Sequence, residues 1–248
     1  MKTIKSNFKV LALLVGLFFV SACTLLSELG SQLPSSDTNK PQLTNEEIVN
    51  GLKEALTVGS RKAVDILAVE NGFYKDPLVF IEFPAEAVKV KEYALKLGMD
   101  QQVTKFEETL NRAAETAVKE AYTVFADAVT KMTFSDAKAI LQGSDDAATA
   151  YFKRTTSQQL HSMFYPKVKQ ATEKVALTKY WDPLVTQYNK TTIVTGNPKI
   201  ETDLNEYVTQ KALDGLFLKL ANEEKQIRKN PAARVTDILK KVFGSLTN

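Results

Sequence analysis

The chain has 248 residues and a formal net charge of +3, with a single cysteine and a single histidine. Lys2, Lys5 and Lys9 account for the excess charge, and the chain after residue 22 carries 29 basic and 29 acidic residues. This balance gives no support for a nucleic-acid partner. Because soft ligands are so scarce, the sequence predicts no zinc, haem or iron–sulfur site and no cofactor.

The N-terminus has the layout of a secretory signal. Its lysines precede an apolar run at residues 10–20, which as a helix would cover about 16 Å, roughly half of a bilayer core. The run ends in Ser21-Ala22-Cys23, which resembles the lipobox of bacterial lipoproteins. The resemblance implies a signal peptide at residues 1–22 and a diacylglyceryl group on the Cys23 sulfur. The alternative is an ordinary secretory signal with an incidental cysteine.

A lipid on Cys23 would place the protein in the cell envelope, because two acyl chains give durable anchoring. Thr24 follows the cysteine where aspartate would resemble an inner-membrane retention signal. We therefore expect the periplasmic face of the outer membrane in a cell with two membranes. Residues 23–43 are rich in serine, proline and polar side chains. They are typical of a flexible tether, with a reach on the order of 25 Å.

The folded part is predicted to begin at Thr44, because Thr44 and Glu47 have the spacing of a capping box. Asn71-Gly72 is predicted to end this first helix. An irregular aromatic flap follows at residues 71–84. Its large apolar residues are Phe73, Tyr74, Leu78, Phe80, Ile81 and Phe83. The flap either closes over the core or touches a membrane or ligand.

The rest of the chain is predicted to be helical. We expect helices at 85–97, 100–131 and 135–141, and a further helix that is capped by Ser144. A break is expected at Tyr165, before Pro166. A polar loop is expected at 189–200, followed by a helix at 204–229 and a last helix after Asn230-Pro231. The predicted fold class is all-α. The domain at 44–248 is a single multi-helix, bundle-like domain with one irregular aromatic flap, preceded by a flexible tether.

Several stretches of this domain resemble the bacterial domain-of-unknown-function family 4197. They are LTNEEIVNGLKEAL, NGFYKDP, LNRAAETAVKEAY, FSDAKAILQGSDDAATAYFK, YVTQKALDGLFLKLANEEKQIRKNPAAR and LKKVFG. They occur in order from Leu43 to the C-terminus. The resemblance implies an α-helical envelope protein, often with a lipobox, and it implies no activity and no set of functional residues.

Two groups of polar residues lie within helices built for burial. The first is Asn111, Arg112 and Glu115, beside small residues. The second is Glu223, Glu224, Arg228 and Arg234, of which Glu224 and Arg228 are the candidate site residues. One hypothesis is that they converge on a buried polar site between helices. The alternative is that they form surface ion pairs worth a few tenths of a kcal/mol each.

Two further patterns have weaker support. Ser157 lies one helical turn before His161, but no Gly-x-Ser-x-Gly turn accompanies this pair, so a surface or core histidine is favoured. Asp136, Asp145 and Asp146 surround Gly143 without calcium-loop spacing, so helix capping is favoured over a metal site.

The leading functional expectation is a lipid-anchored envelope protein of unknown biochemical role that binds an envelope protein or an apolar ligand without catalysis. Its partners would be the membrane, through the N-terminal lipid, and that protein or ligand. One alternative is a periplasmic carboxylate-based hydrolase that uses Glu115 and Glu224 as acid and base. Another is a structural spacer with no ligand.

Overall fold

The computed structural model describes residues 44–174, 177–195 and 203–244. The α-helices are α1 (Asn45–Leu67), α2 (Val88–Lys96), α3 (Asp100–Ala117), α4 (Ala121–Lys131), α5 (Phe134–Gln142), α6 (Ala147–Lys174), α7 (Leu177–Thr195), α8 (Leu204–Lys229) and α9 (Asp237–Gly244). Short 3-10 helices occur at Ala85–Ala87, Val118–Glu120 and Pro231–Ala233. No strand occurs in these ranges, and the all-α fold class is confirmed. The predicted signal peptide, Cys23 and the tether lie outside the described residues.

Helix α8 lies at the centre of the helical unit, which spans Leu43–Asn248. It packs against α1, α3 and α6, so residues on several of its faces are buried. The buried residues include Val208, Thr209, Ala212, Leu213, Leu216, Phe217, Leu220, Glu224 and Ile227. Gly215 allows the flap to approach this helix, because a Cβ there would lie 2.7 Å from the Phe73 ring. The flap thus packs directly on the central helix.

The flap follows α1 and is largely buried. The side chains of Phe73, Val79, Ile81 and Phe83 are buried in the core, whereas Leu78 at its tip is 65% exposed. Asn71 has a left-handed backbone conformation, with φ of 71°, but it does not end α1 as predicted, because that helix already ends at Leu67. The flap therefore begins with an irregular turn after the helix.

Several further helix boundaries differ from the prediction. Helix α7 continues to Thr195, within the predicted polar loop at 189–200. Helix α6 continues through Pro166, because this proline is exposed and the carbonyl that it leaves unpaired can face solvent. The predicted helix at 100–131 is interrupted by the 3-10 turn Val118–Glu120. Helix α5 begins at Phe134, whereas the prediction began it at residue 135, and Thr133 caps it through a capping box with Asp136.

The ends of the domain meet where α9 packs on α1. Gly51 makes room for this contact, since a Cβ at that position would lie 2.4 Å from the Val242 side chain. Thr44 and Glu47 form the predicted capping box at the start of α1. Lys241 of α9 also donates a hydrogen bond to the Glu47 carboxylate.

Acid is expected to loosen this contact between α1 and α9. The hydrogen bonds from Lys241 and from the Thr44 backbone lower the pKa of Glu47 from 4.5 to about 2. A lowered pKa stabilises the folded state above the ordinary value, and that contribution is lost as the pH falls from 4.5 towards 2. The protection factors of α9 amides in hydrogen exchange, which are corrected for the pH dependence of the intrinsic exchange rate, should therefore fall over this range. Glu47→Gln should remove the pH dependence, and Glu46→Gln, one residue earlier in the same turn, should leave it intact.

Candidate functional site

The middle of α3 holds the flap through two buried polar side chains. Asn111 is fully buried, and its amide accepts a hydrogen bond from the Ile81 N–H (2.8 Å) and donates one to the Ile81 carbonyl (2.9 Å). Glu115 is 4% exposed, and its Oε1 accepts hydrogen bonds from the backbone N–H groups of Phe73 (3.1 Å) and Tyr74 (3.2 Å). Both ends of the flap are thus bonded to one helix.

Arg112 completes this first cluster. It donates to the second oxygen of Glu115 (2.8 Å) and to the Asn71 side chain (3.0 Å). Its guanidinium lies 5.5 Å from the centre of the Tyr74 ring. Partial burial opposes the charge of Arg112, but the hydrogen bond to Glu115 and the negative charges of Glu115, Glu70 and Glu108 together outweigh it and raise the pKa of Arg112 above its usual value. A single arginine therefore joins α3 to the beginning of the flap.

Asp76 fixes the tip of the flap. Its backbone carbonyl accepts from the N–H groups of Val79 and Phe80, and its carboxylate accepts from the Leu78 N–H (3.0 Å) and from Lys219 of α8. Burial opposes the negative charge, but the hydrogen bonds from Lys219 and the Leu78 N–H, together with the positive charge of Lys219, outweigh it and lower the pKa of Asp76. The flap is irregular in backbone conformation, yet its backbone is bonded at both ends and at the tip.

The second cluster caps the N-terminus of α6. Glu224, on α8 and 8% exposed, accepts hydrogen bonds from the backbone N–H groups of Ala148 (2.9 Å) and Thr149 (2.8 Å) and from the Thr149 hydroxyl (2.9 Å). These are among the N–H groups that a helix leaves without an internal partner. A carboxylate also interacts favourably with the positive end of the helix dipole. Ser144, which was predicted to cap this helix, instead donates to Asp146.

Two arginines extend this second cluster. Arg228 donates to Glu224 (3.0 Å) and to the Ile140 carbonyl at the end of α5 (2.7 Å). Arg234, which is buried, donates to the carbonyls of Ile227 (3.1 Å) and Arg228 (2.8 Å). The cluster therefore joins α5, α6 and the C-terminal end of α8.

The five predicted polar residues thus form two groups with different partners. Asn111, Arg112 and Glu115 bind the flap, and Glu224 and Arg228 bind the ends of α5 and α6. No hydrogen bond or ion pair within the described ranges joins one group to the other. The second group borders an apolar cavity of about 20 Å³, a volume that admits about one water molecule.

Two larger concave regions lie at the surface. The first, which we call the flap groove, has a volume of about 410 Å³. It is lined by Tyr74, Lys75, Pro77, Phe80 and Glu82 of the flap and by Tyr207 and Lys211 of α8. The second is a cleft of about 750 Å³ between α3 and α6, with Arg112, Lys167 and Glu173 in its lining. Arg112 thus lies between the flap and this cleft.

The weaker sequence patterns have structural partners. His161 makes a hydrogen bond to Glu206 (2.9 Å), while Ser157 donates to the Lys153 carbonyl (2.5 Å), so the two side chains do not bond each other. Asp145 pairs with Lys229. Among the described residues, no three histidine, cysteine or acidic side chains are grouped in a way that could hold a metal ion.

These contacts define an all-helical domain whose buried charged groups bind its own backbone. The family model described as "Protein of unknown function (DUF4197)" matches residues 42–244, and the chain belongs to this family. No curated protein and no solved structure matches the chain. Within the described ranges, no helix combines the length and apolar character needed to cross a membrane.

Several residues of these clusters were not predicted. Ala148 and Thr149 lie 76 and 75 residues before Glu224, and Lys219 lies 143 residues after Asp76. Nothing in the local sequence indicates these partners. Arg234, in contrast, was recognised from the sequence as a member of the second cluster, since it follows the Asn230-Pro231 turn and lies close to the C-terminal end of α8.

Proposed function

We propose that the protein is a lipid-anchored component of the cell envelope that acts by binding a partner or ligand, without catalysing a reaction. The diacylglyceryl group on Cys23 would hold the chain at a membrane. The tether at residues 23–43 would carry the helical domain away from the lipid headgroups. The lipobox pattern supports the lipid anchor, and the flap supports the binding role.

The observation that carries the binding role is the attachment of the flap. Asn111, Glu115 and Asp76 bind its backbone at both ends and at its tip. Their hydrogen bonds hold an irregular, partly exposed loop in one conformation. Loops positioned by a rigid scaffold frequently carry the binding residues of a protein, and a pre-organised loop loses less conformational entropy when it binds.

The hydrolase alternative receives less support from the same contacts. It requires Glu115 and Glu224 to act together on one substrate. Each carboxylate already accepts hydrogen bonds from two backbone N–H groups. The two carboxylates also belong to clusters with different partners. Their positions favour a role in holding the scaffold.

Metabolic labelling with an alkyne fatty acid tests the anchor. The full chain should carry the label and sediment with membranes, whereas Cys23→Ala should lose the label because the sulfur that accepts the lipid is absent. Thr24→Ala is the matched control, since it changes the next residue and leaves the thiol in place. A Cys23→Ala chain that remains labelled would contradict lipid attachment at this residue.

Photo-crosslinking in cells tests the binding role. A benzoylphenylalanine at Leu78, at the tip of the flap, should form a discrete adduct with one partner. The same group at Val235 is the matched control, because Leu78 and Val235 are equally exposed, at 65%. Identical adducts from both positions, or none from Leu78 in intact cells, would contradict binding through the flap.

A further inference from the structure

The flap groove has the dimensions of a ligand site. Its volume of about 410 Å³ lies within the range of roughly 300–1,000 Å³ that is typical of small-molecule sites, and it would admit a peptide of about three residues. Tyr74 and Phe80 form one wall, with ring centres 5.8 Å apart. The Tyr207 hydroxyl donates to the Glu82 carbonyl (3.1 Å) and so joins the two sides of the groove.

The walls of this groove are held in place by contacts outside it. Glu115 binds the Tyr74 N–H, and Arg112 lies 5.5 Å from the centre of the Tyr74 ring. The Phe80 N–H donates to the Asp76 carbonyl. These contacts fix the backbone of the flap and the Tyr74 ring before any ligand arrives.

The charges of the groove indicate what it would bind. Lys75, Glu82 and Lys211 are exposed, and none of them has an ion-pair partner within the described ranges. The neighbouring charges Asp76, Lys219 and Arg112, in contrast, form ion pairs. The Lys211 ammonium lies 5.7 Å from the centre of the Tyr207 ring. Two ammonium groups and one carboxylate that lack an ion-pair partner within the described ranges therefore surround the aromatic wall.

This arrangement favours a ligand that carries both signs of charge. An apolar ligand would remove three charged groups from water without replacing their interactions. A polyanion would meet the repulsion of Glu82, and a simple cation would meet two lysines. A ligand with two carboxylates and one ammonium group complements all three side chains.

We propose that the flap groove binds a short acidic peptide with a free amino group. Lys75 and Lys211 would bind its carboxylates, Glu82 would bind its ammonium group, and Tyr74, Phe80 and Tyr207 would contact its uncharged parts. This inference rests on the proposed function, because it names the ligand class for the flap.

The test uses the full chain in detergent and three peptides, with binding followed by NMR titration. Ala-Glu-Ala has one free amine and two carboxylates, N-acetyl-Ala-Glu-Ala lacks the amine, and Ala-Gln-Ala lacks one carboxylate. Ala-Glu-Ala should bind saturably, and each altered peptide should bind at least about tenfold more weakly. Equal affinity for all three peptides, or no saturable binding of Ala-Glu-Ala up to millimolar concentration, would overturn the proposal.

Variants of the groove make the test specific. Lys75→Ala and Lys211→Ala should each weaken Ala-Glu-Ala binding by about tenfold. Lys138→Ala is the matched control, because Lys138 is an exposed lysine on α5, outside the groove. Glu82→Gln should remove the preference for the free amine over the acetylated peptide. Unchanged affinity in both groove lysine variants would also overturn the proposal.

The two proposals can fail separately. If Leu78 crosslinks a partner in cells but the peptides do not bind, the assignment of the ligand is wrong and the binding role stands. If neither result is obtained, both proposals are overturned. Circular dichroism of each variant confirms that the exposed substitutions leave the helices intact.

Discussion

Glu115→Gln is expected to lower the free energy of unfolding by about 3 kcal/mol. One carboxylate oxygen of Glu115 accepts from the Phe73 and Tyr74 N–H groups, and the other accepts from Arg112. A glutamine has only one acceptor oxygen, and its NH₂ group would face a donor. The buried flap amides or the guanidinium would therefore lose their partner.

Urea unfolding of the variant measures this loss, and hydrogen exchange locates it. Exchange should accelerate at the Phe73 and Tyr74 amides. Glu108→Gln is the matched control, since Glu108 lies on the same helix but its side chain is 31% exposed, bonds Lys105 at the surface and lies 3.9 Å from Arg112. The control should cost less than about 1 kcal/mol. If both variants cost the same, Glu115 does not hold the flap.

The parts of the fold that depend on local patterns were predictable from the sequence. The capping box of Thr44 and Glu47 formed as predicted, because its two hydrogen bonds lie within one helical turn. Helix α8 also has the predicted extent. Its apolar residues recur at helical spacing regardless of what packs around it.

The boundaries that depend on distant contacts were not predictable. The first turn of α6 is capped by Glu224, about 75 residues away, whereas local rules assigned the cap to Ser144. Pro166 was expected to break this helix, but it lies on the exposed side, where solvent can satisfy the carbonyl that it leaves free. In both cases the tertiary environment decides the outcome.

The candidate polar residues were recognisable by type but not by role. Asn111 and Glu115 were notable because polar side chains occur on a helix face built from small residues. The sequence does not show that their partners are backbone groups of the flap. Nor does it show that Glu224 and Arg228 serve a second cluster, since that separation depends on how the helices pack.

Glu224→Gln is expected to lower the free energy of unfolding by about 3 kcal/mol. Its two oxygens together accept from Ala148, Thr149 and Arg228, and a glutamine cannot accept all of these bonds. Fraying at the start of α6, measured by exchange of the Ala148 and Thr149 amides, should accompany the loss. Glu223→Gln is the matched control, because Glu223 pairs with the exposed Lys62 and, among the described residues, with no other charged group. Equal loss in the two variants would show that Glu224 does not cap α6.

The arginines of the two clusters then test whether the clusters are independent. Arg112→Ala and Arg228→Ala should each destabilise the fold, because each leaves a buried carboxylate with one bond fewer. Residues with no shared partner usually have additive effects, so the double variant should match the sum of the single variants to within about 0.5 kcal/mol. A coupling above about 1 kcal/mol would mean that the clusters act as one unit. That result would favour a single buried polar site between the helices over two separate structural supports.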